Sequence, residues 1–136
     1  MRLWHQDLIR FLPRQQLLGQ HRECCALRGA GWGRKHSVVN YVFTHDPARL
    51  VAYHYKVMDE MHRRGYKPDK AWLNPNWRGS TLGECPNWTN PDFVELIYNE
   101  SGLIYKEHDI YYLHECIQNL KSKGIEIEEI KNETVA

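Results

Sequence analysis

The chain has 136 residues, of which 42% are hydrophobic and 26% charged, a composition typical of a globular domain and not of a disordered or fibrous protein. No stretch is apolar over the length of a membrane helix, and the opening residues MRLWHQDLIR are too polar for a signal-peptide core. The net charge of +1 hides an asymmetry: residues 1–78 carry fourteen Lys and Arg against six acids, and residues 79–136 carry four against eleven. This segregation favours a polyanionic partner for the basic half, although a solvated surface gives the same counts.

Three helices are predicted from apolar spacing and from residues that start or stop helices. Their spans run from Pro13 to the glycine-rich residues 29–33, from Asp46 to Gly65, and from Asp109 to Gly124. The buried stripe of the second helix is predicted to be Leu50, His54, Val57, Met58 and Met61. That of the third is predicted to be Ile110, Leu113, Ile117 and Leu120.

The segment between the second and third helices, residues 66–104, is rich in Pro, Asn, Gly and Trp, which are too frequent for regular structure. Its tryptophans Trp72, Trp77 and Trp88 are expected to anchor it to the body. Residues 92–98 fit a short helix or a strand. The predicted fold is mainly α, a single compact three-helix domain over residues 1–136 with a long irregular segment, and the acidic residues 126–136 are expected to fray.

The four cysteines form no CxxC pair, so the sequence predicts neither a disulfide framework nor a zinc knuckle. They are expected to be small buried or half-buried residues in a reducing cytoplasm. His21 and Cys25 have i, i+4 spacing, and His108 and His114 flank the start of the third helix, but no HExxH motif or clustered ligand set occurs. No metal and no cofactor is therefore expected.

Glu23 of the first helix has polar and small neighbours on its own face. Gln16, Gly19 and Gln20 precede it by seven, four and three residues, which leaves open space around its carboxylate. The α-amine of Met1 has an ordinary pKa of about 7.7–8.0, so an appreciable fraction is uncharged and nucleophilic at neutral pH. A surface glutamate exposed only to solvent would show the same spacing.

Short motifs in a definite order resemble those of a known family. QQLLGQHRE at 15–23, RKH at 34–36 and HRRGYKP at 62–68 are similar to segments of the phage and bacterial pyrimidine-dimer DNA glycosylases with apurinic-site lyase activity. The similarity extends over most of the chain, including the third helix after Lys106-Glu107-His108, and it is poor in the Trp-rich segment. The opening Met-Arg-Leu-Trp is most similar to a bacterial branch of the family.

The resemblance implies a mechanism that needs no cofactor. In the family, the N-terminal amine attacks C1′ of the damaged nucleotide and displaces the base, and β-elimination of the resulting imine cuts the strand. Glu23 matches the essential glutamate, which stabilises the cationic sugar, and Met1 supplies the amine because a large second side chain usually leaves the methionine in place. Arg2 and Arg22 match the family's arginines beside the nucleophile and the glutamate. Arg28 replaces another family arginine, although it lies further downstream.

DNA contacts are predicted in the basic half, because exposing C1′ in a duplex costs a few kcal/mol that phosphate contacts must offset. Arg34, Lys35 and His36 of the glycine-rich loop are the favoured contacts, and Arg64 joins them from the end of the second helix. The expected partner is damaged double-stranded DNA, bound by a cytoplasmic, nucleoid-associated monomer with no membrane contact. The alternative is a non-catalytic nucleic-acid-binding protein or adaptor on the same fold.

Overall fold

The computed structural model describes residues 2–35 and 38–127. This part of the chain is helical, and its β-type pairing is limited to one bridge between Trp77 and Glu84. The predicted mainly α fold is therefore confirmed. The α-helices are α1 (Arg14–Arg28), α2 (Pro47–Arg63), α3 (Gly79–Leu82), α4 (Pro91–Asn99) and α5 (Ile110–Ser122). Short 3-10 turns span Gln6–Phe11, Asn40–Thr44 and Lys70–Leu73.

The three long helices α1, α2 and α5 lie where the sequence predicts them, and their ends show why. The Asp46 carboxylate accepts a hydrogen bond from the amide of Ala48 at 2.9 Å at the start of α2. Asp109 accepts one from the amide of Tyr112 at 2.9 Å at the start of α5. Each bond satisfies an amide that the helix itself leaves without an acceptor. After α5, Gly124 takes a φ of +80°, which suits glycine.

Helix α2 is the centre of the molecule, because α1 packs against one side of it and α4 against another. Its predicted stripe is buried from Leu50 to Met61. Burying one such large aliphatic side chain stabilises the fold by about 1.5–3 kcal/mol. The side chains of Tyr53 and His54 are also fully buried, which brings polar groups into the core.

The apolar face of α5 is buried over most of its length. Leu113, Ile117 and Leu120 are at most 7% exposed. Ile110 is 52% exposed, so its predicted burial is wrong: it is the first residue of α5 and lies at the rim of the core. Among the described residues, none of the helices combines the length and the apolar character needed to cross a bilayer.

Residues 66–104 are more regular than the sequence predicts. The side chain of Asn90 accepts hydrogen bonds from the amides of Asp92 and Phe93, and Pro91 occupies the first helical position. These two signals start α4, so the segment for which helix and strand were both considered is a helix. Local capping explains this result, because a helix of nine residues depends on its ends and on packing.

Two of the three tryptophans of this segment, Trp72 and Trp88, contact the body of the protein through their rings, as predicted. The ring of Trp88 meets Trp32 edge to face, with the centroids 5.6 Å apart. The guanidinium of Arg28 lies over the ring of Trp72 at 5.0 Å from its centroid. The side chain of Arg78 donates a 2.7 Å hydrogen bond to the carbonyl of Arg28 and so ties the segment to the end of α1.

Candidate active site

A cleft of about 300 Å³ lies where the N-terminal segment, α1 and α5 meet. Arg2 reaches it from the N-terminal segment, Glu23 from α1 and Lys123 from the residue that follows α5. The cleft therefore joins one carboxylate with two cationic side chains. This charge pattern attracts an anion while keeping a single acidic group at the centre of the site.

The surroundings of Glu23 agree with the helical spacing. Gln16, Gly19 and Gln20 line the same cleft as the carboxylate. A Cβ atom built on Gly19 would meet only the Nη2 atom of Arg22, at 3.7 Å, so the glycine leaves the mouth of the cleft open. The same distance places the Arg22 guanidinium at the rim of the cleft, where the side chain is exposed.

Arg2 is held on its side of the cleft by weak contacts. Its Nη1 atom lies 4.0 Å from Oε2 of Glu115, and its side chain is 18% exposed. The guanidinium carbon lies 5.5 Å from the centroid of the Trp4 ring. Lys123 lies over the same ring, with Nζ 5.4 Å from the centroid. Trp4 thus carries both cations of the cleft on one aromatic surface.

Two residues of the cleft wall were missed by the sequence predictions. Asn119 and Lys123 lie four residues apart on the last turn of α5 and just beyond it, so they face the same side. The Oδ1 atom of Asn119 is buried and accepts no hydrogen bond from any described residue. The spacing of the pair was visible in the sequence, but a lysine at a helix C-terminus is ordinarily explained by the helix dipole.

Arg28 does not reach the surface, which corrects its assignment to DNA. Its side chain is fully buried. It donates hydrogen bonds of 2.8–3.0 Å to the carbonyls of Trp72, Asn74 and Trp77. Burial lowers the pKa of Arg28 to about 10, so the group stays charged at neutral pH. Arg28 is a structural cation that fixes the Trp-rich segment to α1.

Arg64 is also bonded within the fold, although its side chain is 19% exposed, and its assignment to DNA stays a prediction. Its Nε atom donates to the carboxylate of Glu60 at 2.6 Å. Its two terminal nitrogens donate to the carbonyls of Leu12 and Arg10 at 2.8 and 3.1 Å. With every nitrogen of the fork bonded to protein, the side chain ties the end of α2 to the N-terminal 3-10 turn.

The structure describes only some of the remaining predicted site residues. Arg34 and Lys35 are exposed in the loop after α1, in agreement with a role at the surface. Met1 and His36 lie outside the described residues. The assignments of Met1, Arg2, Arg22, Arg34, Lys35 and His36 therefore stay predictions.

A compact cluster of His21, Cys25 and His54 joins α1 to α2, with potential ligand atoms within 4.8 Å of one another. Nη1 of Arg28 lies 3.0 Å from Nδ1 of His54, and a guanidinium only donates, so Nδ1 accepts. Burial lowers the pKa of His54. The neutral ring then carries its proton on Nε2, 2.8 Å from Nδ1 of His21. A metal would need that nitrogen unprotonated. The geometry therefore favours a hydrogen bond between His54 and His21 over a bound metal.

The Cys25 thiol adds to this interpretation, because burial raises its pKa to about 12. At neutral pH it is a thiol, whereas a nucleophile must be the thiolate. All four cysteines are free; Cys24 and Cys116 are buried and the other two are half-buried, as the sequence predicts. The expectation that the protein uses no metal stays a prediction.

A larger cleft, of about 720 Å³, lies between the Gln6–Phe11 turn, α2 and α5. Asp59, Glu60 and Arg63 line it from α2 and Arg10 from the Gln6–Phe11 turn, and both acids are already bonded, Asp59 to the hydroxyl of Tyr98 and Glu60 to Arg63. Because both acids already have hydrogen-bond partners, the smaller cleft around Glu23 is the better candidate for the active site.

The family model of pyrimidine dimer DNA glycosylase matches residues 1–74. The match spans more than half of the 136 residues and includes Arg2, Glu23 and all of α1 and α2. The chain therefore belongs to the pyrimidine dimer DNA glycosylase family, whose members are DNA repair enzymes. No curated protein and no solved structure gives a significant match to the chain.

Proposed function

We propose that the protein removes a base from pyrimidine-dimer DNA and cuts the strand at the resulting abasic site. The observation that carries the proposal is that Arg2 and Glu23 line one cleft, although they lie on different elements. The nucleophile is the terminal amine of the residue before Arg2. Family membership supports the glycosylase step, and the cleft supports the assignment of the residues.

The chemistry assigned to these groups balances without a cofactor. The amine forms a bond to C1′ while the bond from C1′ to the base breaks, and the base leaves with a proton. Ring opening gives an imine between the protein and the sugar. Loss of a proton from C2′ then breaks the bond from C3′ to its oxygen and cuts the strand. The Glu23 carboxylate stabilises the cationic sugar and moves protons.

The DNA is held through phosphates by the exposed cations beside the cleft. Arg22 lies at its rim, and Arg34 and Lys35 lie in the loop after α1. These side chains fit the phosphate backbone because they are charged and accessible. Lys123 supplies a cation from the α5 side, so phosphates on both sides of a displaced nucleotide have a partner.

The double variant R34A/K35A is expected to bind duplex DNA more weakly and with a smaller dependence on salt. Each lost phosphate contact lowers the slope of log K against log salt concentration by about 1. Fluorescence anisotropy of labelled duplex between low and high salt measures the slope. The matched control is K106A, because Lys106 is an exposed lysine outside the proposed interface. An unchanged slope in the double variant would remove both residues from the interface.

Borohydride trapping tests the proposed chemistry directly. Incubating the protein with abasic-site DNA and borohydride is expected to give a covalent adduct that peptide mapping locates at the N-terminal residue. The intact mass of the purified protein identifies that residue beforehand. DNA binding without an adduct, or an adduct on an internal lysine, would contradict the proposal, and the former result would favour a non-catalytic adaptor. The same assay on dimer-containing DNA tests base removal.

A further inference from the structure

Gln20 of α1 holds both ends of the short backbone segment formed by residues 2–4. Its Oε1 atom accepts a hydrogen bond from the amide of Trp4 at 2.6 Å, and its Nε2 atom donates to the carbonyl of Arg2 at 2.9 Å. Gln20 is 2% exposed; its bond to Trp4 is buried and its bond to Arg2 is partly buried. Chain ends usually fray unless hydrogen bonds or packing hold them. The two hydrogen bonds from the Gln20 side chain therefore order this N-terminal segment.

Two tyrosines from other helices hold the same segment. The hydroxyl of Tyr53, on α2, donates to the carbonyl of Trp4 at 2.6 Å. The hydroxyl of Tyr112, on α5, donates to the carbonyl of Leu3 at 2.6 Å. Together with Gln20, these side chains bond four backbone polar groups of residues 2–4. The segment is therefore fixed to three helices at once.

Gln20 also lies one helical turn before Glu23. Residues three apart on an α-helix share a face and are offset by about 4.5 Å along the axis. Both side chains line the cleft. Gln20, which fixes the carbonyl of Arg2, and Glu23 therefore lie on the same face of α1. The geometry of the helix sets the distance between their Cα atoms.

We propose that Gln20, Tyr53 and Tyr112 are positioning residues that set the reacting distance between the N-terminal amine and Glu23. The inference rests on the proposed function, in which that amine is the nucleophile. The amine belongs to the residue that precedes Arg2, and the anchored carbonyl carbon of Arg2 is about five bonds from it along the chain. Fixing residues 2–4 limits the positions that this amine can reach, and a misplacement of about 1 Å costs about 100-fold in rate.

The variants Q20M, Y53F and Y112F test the inference in the full-length protein. The measurement is the single-turnover rate of borohydride trapping on saturating abasic duplex. Losing an anchor is expected to lower this rate by about 10- to 100-fold and to leave the Kd for the duplex unchanged. The variant Q20E keeps an acceptor for the amide of Trp4 but sets a carboxylate oxygen against the carbonyl of Arg2 at a buried position, so a rate no higher than that of Q20M is expected.

The matched control is Y55F, two residues from Tyr53 on α2. The hydroxyl of Tyr55 donates to the carbonyl of Leu73 at 2.7 Å, a bond of the same type that does not touch the N-terminal segment. Its trapping rate is expected to equal that of the unaltered protein. Thermal melting of every variant identifies those that fold, and the tyrosine variants carry the comparison if Q20M does not.

Two experimental results would contradict the positioning role and the proposed function separately. Equal trapping rates in Y53F, Y112F and Y55F, or a loss confined to DNA affinity, overturn the positioning role and leave the proposed function standing. An unaltered protein that binds abasic DNA and yields no N-terminal adduct overturns the proposed function, and the positioning role falls with it.

Discussion

The variant E23Q is expected to cut abasic-site DNA about 10²- to 10⁴-fold more slowly than the unaltered protein. The substitution keeps the size of the side chain, replaces one accepting oxygen by a donating NH2 group and removes the negative charge. Because the cleft also holds the cations Arg2 and Lys123, the positive sugar intermediate would then face no compensating carboxylate. The loss should appear in the single-turnover cleavage rate and leave the Kd for the duplex nearly unchanged.

The matched control for this variant is E95Q. Glu95 is an exposed carboxylate on α4, outside the cleft, so its neutralisation changes the net charge equally without touching the site. Its cleavage rate is expected to stay at the unaltered level. A cleavage rate for E23Q equal to that of E95Q would exclude Glu23 from the chemistry. A loss in affinity alone would make it a binding residue.

The variant R28M is expected to lose about 4 kcal/mol of unfolding free energy. The methionine fills much of the volume of Arg28 but leaves the carbonyls of Trp72, Asn74 and Trp77 without their donor. The Nδ1 atom of His54 loses its donor too. A buried acceptor left unpaired costs about 1 kcal/mol or more, and four acceptors give the total. Urea unfolding at neutral pH measures the change.

The comparison for R28M is R34M, which removes an exposed arginine from the adjacent loop. A surface substitution of this kind is expected to change stability by no more than about 0.5 kcal/mol. The two variants therefore separate structural from DNA-binding arginines. Full stability in R28M together with a smaller salt dependence of DNA binding would restore Arg28 to the interface.

The parts of this molecule that sequence reasoning recovers are those encoded locally. Asp46 and Asp109 start their helices through hydrogen bonds to amides two or three residues away. The neighbours of Glu23 follow from helical periodicity within α1, since residues three, four and seven positions apart share a face. The sequence left residues 92–98 undecided between a helix and a strand, because so short an apolar run fits both and the capping by Asn90 was not considered.

The parts that escape sequence reasoning depend on distant backbone. Arg28 bonds carbonyls 44 to 49 residues further along the chain. Every residue supplies a carbonyl, so no residue type marks these acceptors, and a charged side chain is expected at the surface. Asn119 and Lys123 join the cleft only because α5 folds back onto the N-terminal segment, to which Tyr112 is bonded.

Arg28 binds the Trp-rich segment through main-chain carbonyls, and this determines which substitutions the segment tolerates. The guanidinium recognises the path of the main chain and none of the side chains of Trp72, Asn74 or Trp77 through hydrogen bonds. Apart from Trp72, whose ring lies under the guanidinium, the side chains of the segment can change without removing these hydrogen bonds as long as the main-chain path is kept. Side chains on its outer surface can therefore vary while α1 and Glu23 keep their positions.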